Sequence, residues 1–166
     1  IADLQNKLEG LGYRTIDSGD IFIQIMEKQR ITNPKLKYLN EIIKTSTILS
    51  RKVEKVLDQG HFPLCLGGDH SMAIGTIAGI ASHCRKNKLK LGVIWIDAHA
   101  DMNTDETSPS GNIHGMPLAA SMGVGNEKLV NLMGFAPKVK PENCALIGIR
   151  SIDVQEKEII NKLKVP

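Results

Sequence analysis

The sequence predicts an α/β domain built on a mostly parallel, doubly wound sheet. Strand-like and helical segments alternate along the chain, which is the pattern of βα units stacked into one sheet. The apolar residues at 91–96 form one continuous run, as expected for a parallel strand covered on both faces. With 166 residues, 42% of them hydrophobic and 4% aromatic, the chain suits one globular domain over 1–166. That composition lies outside the disordered, collagen-like and membrane classes.

The elements follow in order. Residues 2–11 place Leu4, Leu8 and Leu11 on one stripe, with Gly10 and Gly12 as stop signals, so the chain is expected to open inside an amphipathic helix. Residues 13–25 are weakly strand-like at first and ambiguous thereafter. Over 34–59, Leu36, Leu39, Ile43, Leu49, Val53 and Val56 recur near helical spacing and stop at Gly60, predicting a long surface helix. A short apolar strand at 62–66, the Gly67-Gly68 turn and a helix over 71–84 make a βα unit. After the strand at 91–96 comes a Gly/Ser/Pro-rich loop over 103–117. A strand at 144–149 and a helix at 154–163 repeat the alternation. The sequence contains no internal repeat, low-complexity tract or second-domain linker.

Charge and cysteine usage narrow the setting. The net charge of +3 is spread through mixed Lys/Glu segments, which predicts neither a nucleic-acid nor an anionic-membrane partner. No apolar run approaches the roughly 18 residues needed to span a bilayer. Cys65, Cys84 and Cys144 form no C-x-x-C pair and leave an odd thiol. That suits a reducing compartment, and the cytoplasm is the expected address.

Chemistry concentrates in Asp97-Ala98-His99-Ala100-Asp101, directly after the apolar strand. Residues two apart in an extended chain point the same way, so Asp97, His99 and Asp101 are expected to gather at the carboxyl end of the strand, where open α/β sheets place their sites. His70, in Gly67-Gly68-Asp69-His70-Ser71, belongs to the preceding βα turn and would face them if its strand is also parallel. Asp-x-His-x-Asp also suits a helix cap and turn, and His70 alone suits a structural histidine. Charge placement favours a metal: two carboxylates and a histidine after an apolar strand repel and desolvate one another without a cation. Oxygen and imidazole ligands without cysteine point to a borderline divalent ion rather than zinc thiolate.

Ser110-Gly111-Asn112-Ile113-His114-Gly115 closes the polar loop. Asn103, Ser108, Ser110 and Asn112 offer neutral hydrogen-bonding groups able to hold a carboxylate or amine. His114 offers a group that titrates near working pH. The same stretch also reads as an exposed loop.

Taken together, Leu66-Gly67-Gly68-Asp69-His70-Ser71, Ile96-Asp97-Ala98-His99-Ala100-Asp101-Met102-Asn103-Thr104 and Ser110-Gly111-Asn112-Ile113-His114-Gly115-Met116-Pro117 resemble the signature series of the ureohydrolases, most closely the arginases. The resemblance runs through essentially the whole chain. It implies a three-layer sandwich incomplete at both ends, with the first strand and the C-terminal part absent. It also implies hydrolysis of L-arginine to L-ornithine and urea by a hydroxide between two Mn2+ ions. His70 and Asp101 would bind the first ion and His99 the second, with Asp97 bridging. His114, with Asp101, would serve catalysis, as proton shuttle and metal ligand respectively. Asn103, Ser108, Ser110, Asn112, Asp153 and Glu156 would hold the amino-acid end of arginine. Ser108 stands where a threonine is common in the family. Family members commonly form homo-oligomers, trimers or hexamers.

Arginases carry a later Asp-x-Asp motif and a later Glu that this sequence lacks; after Asp101 its aspartates are Asp105 and Asp153. Two carboxylates offset half the charge of two dications, which predicts weak or single-ion binding and no activity for these residues alone. Agmatine or formiminoglutamate hydrolysis by the same chemistry, or a non-catalytic scaffold with this fold, are the rival readings.

Overall fold

Local signals set most of the elements in the computed structural model, which describes residues 3–25 and 28–166. The first helix, α1, is Leu4–Gly10 and buries none of its residues; the expected start at residue 2 lies outside the described residues. Residues 13–25 take no regular form instead of the expected initial strand. Tyr13, Ile16, Phe22, Ile23 and Ile25 are exposed, so no packed surface rewards an extended pairing there.

The long helix, α2, is Leu39–Asp58 and begins later than 34. Tyr38 takes a left-handed backbone at φ 58, and the Lys37 N–H donates to the Gly111 carbonyl at 3.0 Å, tying the preceding turn to the polar loop. The next helix, α3, is Met72–Lys86. These two helices lie side by side in the same direction: Gly75 meets Ser46, Gly79 meets Ser50, and Ser82 Oγ donates to Glu54 Oε1 at 2.7 Å. At their carboxyl ends Asp58 Oδ1 lies 2.7 Å from His83 Nδ1 and Oδ2 lies 3.1 Å from Lys86 Nζ. Bonding to His83 and then Lys86 holds the Asp58 carboxyl below its ordinary range.

Strand β1, Val93–Ile96, pairs parallel with β2, Cys144–Ile147, in register from Val93 opposite Cys144 to Ile96 opposite Ile147. Two short helices fall between them, α4 at Pro117–Ser121 and α5 at Glu127–Val130. The last helix, α6, occupies Val154–Leu163, the span its periodicity predicts. Trp95, Ala100, Met102, Leu118 and Cys144 centre one core cluster, against which Ile159 and Ile160 of α6 pack. A second cluster joins Leu36, Ile74, Ala78, Ile113 and Met116.

Three strand expectations are corrected. Residues 62–66 form no strand in the described sheet, and Phe62, Leu64 and Leu66 are exposed, because no described strand lies alongside to complete their hydrogen bonds. Nor is β1 covered on both faces. Trp95 is buried, whereas Ile94 and Ile96 on the opposite face are 68% and 75% exposed. The described helices cover one side of a two-stranded sheet. The strand expected over 144–149 stops at Ile147, since Gly148 turns the chain at φ +81. Cys65, Cys84 and Cys144 are all free. Among the described residues no helix is long and apolar enough to cross a membrane.

The α2–α3 seam depends on missing side-chain volume. A Cβ on Gly79 would sit 2.4 Å from the Ser50 carbonyl oxygen, whereas one on Gly10 would meet nothing. Gly79→Ala is therefore expected to lower stability by about 1–3 kcal/mol, overpacking outweighing the better helix propensity of alanine. Gly10→Ala should be neutral or mildly stabilising. Urea unfolding of both variants checks this, and an unchanged Gly79→Ala midpoint would contradict the close packing.

Candidate metal centre

The site begins where β1 runs out. The ladder continues one residue beyond the strand, the Asp97 N–H donating to the Ile147 carbonyl at 3.1 Å. The Arg150 and Ser151 N–H groups then donate to the Ala98 carbonyl at 2.9 and 3.0 Å. These bonds hold the Asp97–Asp101 loop at the carboxyl end of the sheet. Asp97 Oδ1 accepts the His99 N–H at 3.2 Å, as a turn-forming aspartate does, leaving Oδ2 2.9 Å from His70 Nδ1. One carboxylate thus serves both the turn and the cluster.

Asp101 approaches the same imidazole from the other side. Its Oδ2 lies 2.8 Å from His70 Nδ1. Its backbone is left-handed at φ 50, and its carbonyl accepts the N–H groups of Leu118 and Ala119 at 3.1 and 3.3 Å. His70 arrives from the glycine turn ahead of α3. There Asp69 Oδ1 accepts the Ser71 N–H at 2.9 Å, and the Trp95 ring lies 4.5 Å from the imidazole, centroid to centroid. One ligand atom from each of His70, Asp97 and Asp101 falls within 4.8 Å of the others.

The electrostatics follow from burial and close charges. Asp101 Oδ2 is buried and makes no hydrogen bond; its close approach to His70 is an ion-pair distance without hydrogen-bond alignment. Burial above all, with the nearby charges of Asp97 and Glu156, pushes the Asp101 carboxyl up to about 6 against the pull of His70. Burial also acts on Asp97, but the His99 and Ala98 N–H groups and the neighbouring histidines outweigh it and hold that carboxyl below its ordinary value. A buried, unpartnered carboxylate oxygen facing a second carboxylate and an imidazole fits a divalent ion with oxygen and nitrogen ligands.

The remaining candidates lie outside this cluster. His99 is 61% exposed with Nδ1 3.7 Å from Asp97 Oδ1, beside the cluster and not within it. The chain already bends at Asp97 and Ala98, which ends the extended geometry that would have aligned all three loop residues. His114, in the turn Ile113–Gly115, has Nδ1 3.9 Å from Asp69 Oδ2 and an exposed side chain. Asn103 Nδ2 donates to Asp153 Oδ2 at 2.7 Å, and its Oδ1 accepts from Thr107 Oγ1 at 2.8 Å. Ser108 Oγ accepts the Gly111 N–H at 3.0 Å, and Ser110 Oγ accepts the Asn112 N–H at 3.2 Å, so both serines shape the loop. Gly111 is required there: φ is +69, and a Cβ would fall 1.8 Å from the Pro34 carbonyl oxygen.

Asp153 and Glu156 form the capping box of α6. Glu156 is buried, and its Oε1 accepts the Met102 N–H at 3.1 Å. Sequence reasoning missed Trp95, although the two-residue alternation that singles out Asp97 places Trp95 on the same side of the strand. It also missed Thr107, a loop hydroxyl with no distinguishing pattern.

A His/Asp/Asp cluster at the carboxyl end of a parallel strand, gathered from the turn ahead of α3 and the loop after β1, is a group that could hold a metal ion in an α/β fold. The chain belongs to the arginase family, whose family model matches residues 2–166. It is 53% identical to the arginase of Bacillus subtilis over 97% of this chain and 52% of that protein, and 49% identical to the arginase of Bacillus caldovelox over 97% and 53%. The crystal structure of the Bacillus caldovelox arginase superposes with a TM-score of 0.90 at 48% identity, over 96% of this chain and 52% of that one. An Entamoeba histolytica arginase solved in complex with L-ornithine gives a TM-score of 0.73 at 39% identity, over 84% and 46%. These neighbours make the fold an incomplete arginase-like α/β fold. The chain spans about half the length of the curated relatives it matches.

The raised Asp101 value carries a pH consequence. Its ordinary value is 3.8 and its folded value about 6, so below both the group imposes no penalty. As pH rises from about 4 to 6 the unfolded chain ionises first, and the ion-free fold loses up to about 3 kcal/mol from this group. Asp101→Asn should remove that component: with a chelator present, the stability gap between variant and parent should widen in favour of the variant across this window. A gap independent of pH would contradict the burial of this carboxylate.

Proposed function

We propose that this chain supplies the His70–Asp97–Asp101 part of an arginase that hydrolyses L-arginine to L-ornithine and urea with manganese. The observation that carries the reading is the approach of two carboxylates to His70 Nδ1, at 2.9 and 2.8 Å, with one oxygen buried and unpartnered. His70 and Asp101 would hold one ion, His99 the other, and Asp97 would bridge. When bound, the ions supply Lewis-acid activation of water and stabilise charge at the guanidinium carbon.

The chain's own groups do the rest. Asp97 and Asp101 offset cationic charge, and Trp95 packs against the His70 ring. His114, exposed on its turn, would pass a proton to the departing amine. Asn103, Ser108, Ser110 and Asn112 would place neutral donors toward the α-carboxylate. Asp153, whose carboxyl is held below its ordinary value by Asn103 and the Glu156 and Gln155 N–H groups despite burial, would face the α-amino group as a carboxylate.

Assay of a polypeptide extended to the length of the relatives should show manganese-dependent urea release from arginine, with little from agmatine. Equal rates on agmatine would move the protein to another ureohydrolase activity. His70→Ala in that polypeptide should lower kcat/KM by about a hundredfold or more, since losing metal-held charge stabilisation removes several kcal/mol. The 166 residues alone should release no urea, because two carboxylates offset only half the charge of two dications; robust turnover by them would overturn that expectation.

A further inference from the structure

Asp101 adopts φ 50, a left-handed conformation that costs an L-residue other than glycine about 1 kcal/mol, so the surrounding structure must hold it. Its carbonyl is fixed by Leu118 and Ala119. The N–H on its other side, that of Met102, lies in the core and donates to Glu156 Oε1 at 3.1 Å. Glu156 Oε2 accepts the Asp153 N–H at 3.2 Å, and the residue is 6% exposed. Both oxygens are therefore engaged by backbone donors, and among the described residues Glu156 has no ion-pair partner within salt-bridge distance.

A capping box explains the bond to Asp153 and nothing more. An exposed Glu or Gln would complete the box equally well. Burying a second carboxylate close enough to act on Asp101 is electrostatically unfavourable, yet the fold places it there and joins it to a peptide 54 residues earlier in the chain. The segment leading into α6 reaches the same loop a second time, through the Arg150 and Ser151 bonds to Ala98. These contacts bracket His99–Asp101 from both ends.

We propose that Glu156 is a positioning residue that locks the Asp101–Met102 peptide and so, acting through Asp101, aims Asp101 Oδ2 at His70. The proposal rests on the reading of His70, Asp97 and Asp101 as metal ligands. Two readouts keep the claims separate: amide hydrogen exchange at Met102 without metal, and calorimetric titration of Mn2+ into the chain.

Glu156→Ala should release the Met102 amide to exchange and weaken Mn2+ binding about 10- to 100-fold, as loss of a group supporting a ligand typically does. Asp153→Ala breaks the same helix cap but leaves the Met102 bond. It should change the affinity less than about threefold on the same scale. Glu156→Gln keeps an acceptor oxygen and should recover most of the loss; it decides the matter if Glu156→Ala fails to fold. Parent-like Met102 protection and affinity in Glu156→Ala, equal losses in Asp153→Ala, or no recovery in Glu156→Gln would each overturn the positioning role. A parent chain that binds no Mn2+ sinks the metal reading instead, and Met102 exchange then decides the positioning claim alone.

Discussion

The structure turns on two carboxylates held against one imidazole at the end of a parallel strand. Coulomb repulsion opposes bringing Asp97 and Asp101 together, and burial of Asp101 Oδ2 without a hydrogen bond adds to it. Such an arrangement is tolerated when the backbone overdetermines it and a cation resolves it. The backbone half of that condition is visible here. The β1–β2 ladder fixes Asp97, the start of α4 fixes the carbonyl of the Asp101–Met102 peptide, and α6 fixes the N–H of that same peptide through Glu156.

The same constraint explains the division of labour in the fold. The α2–α3 pair packs on small residues and carries its polar contacts at the ends away from His70. Trp95, buried in the core below the site, connects the two regions by packing against His70. The polar loop is shaped by hydrogen bonds to its own side chains, and Gly111 allows it to pass against the turn before α2.

What could be read in the sequence was local. The Gly67-Gly68 turn, the apolar run ending at Asp97 and the spacing of the ligand types are signals carried within a few residues, and they locate the centre. The helical repeat of 154–163 gives α6 to the residue for the same reason. The left-handed Asp101 was not legible, because it is set by bonds to Leu118, Ala119 and, through Met102, to Glu156. The bend at Asp97 and Ala98 leaves His99 beside the cluster, where alternation alone would have gathered it in. A strand at 62–66 and cover on both faces of β1 were inferred from apolarity. Apolar residues are buried only where a neighbouring element exists to cover them, and the described residues leave Leu64, Leu66, Ile94 and Ile96 exposed.

The most direct measurement of the central claim is a crystal of this chain soaked in Mn2+, with diffraction data collected at the manganese absorption edge. The account predicts an anomalous peak enclosed by His70 Nδ1, Asp97 Oδ2 and Asp101 Oδ2. Anomalous density confined to other sites, with those three side chains fully ordered and no ion among them, would contradict it.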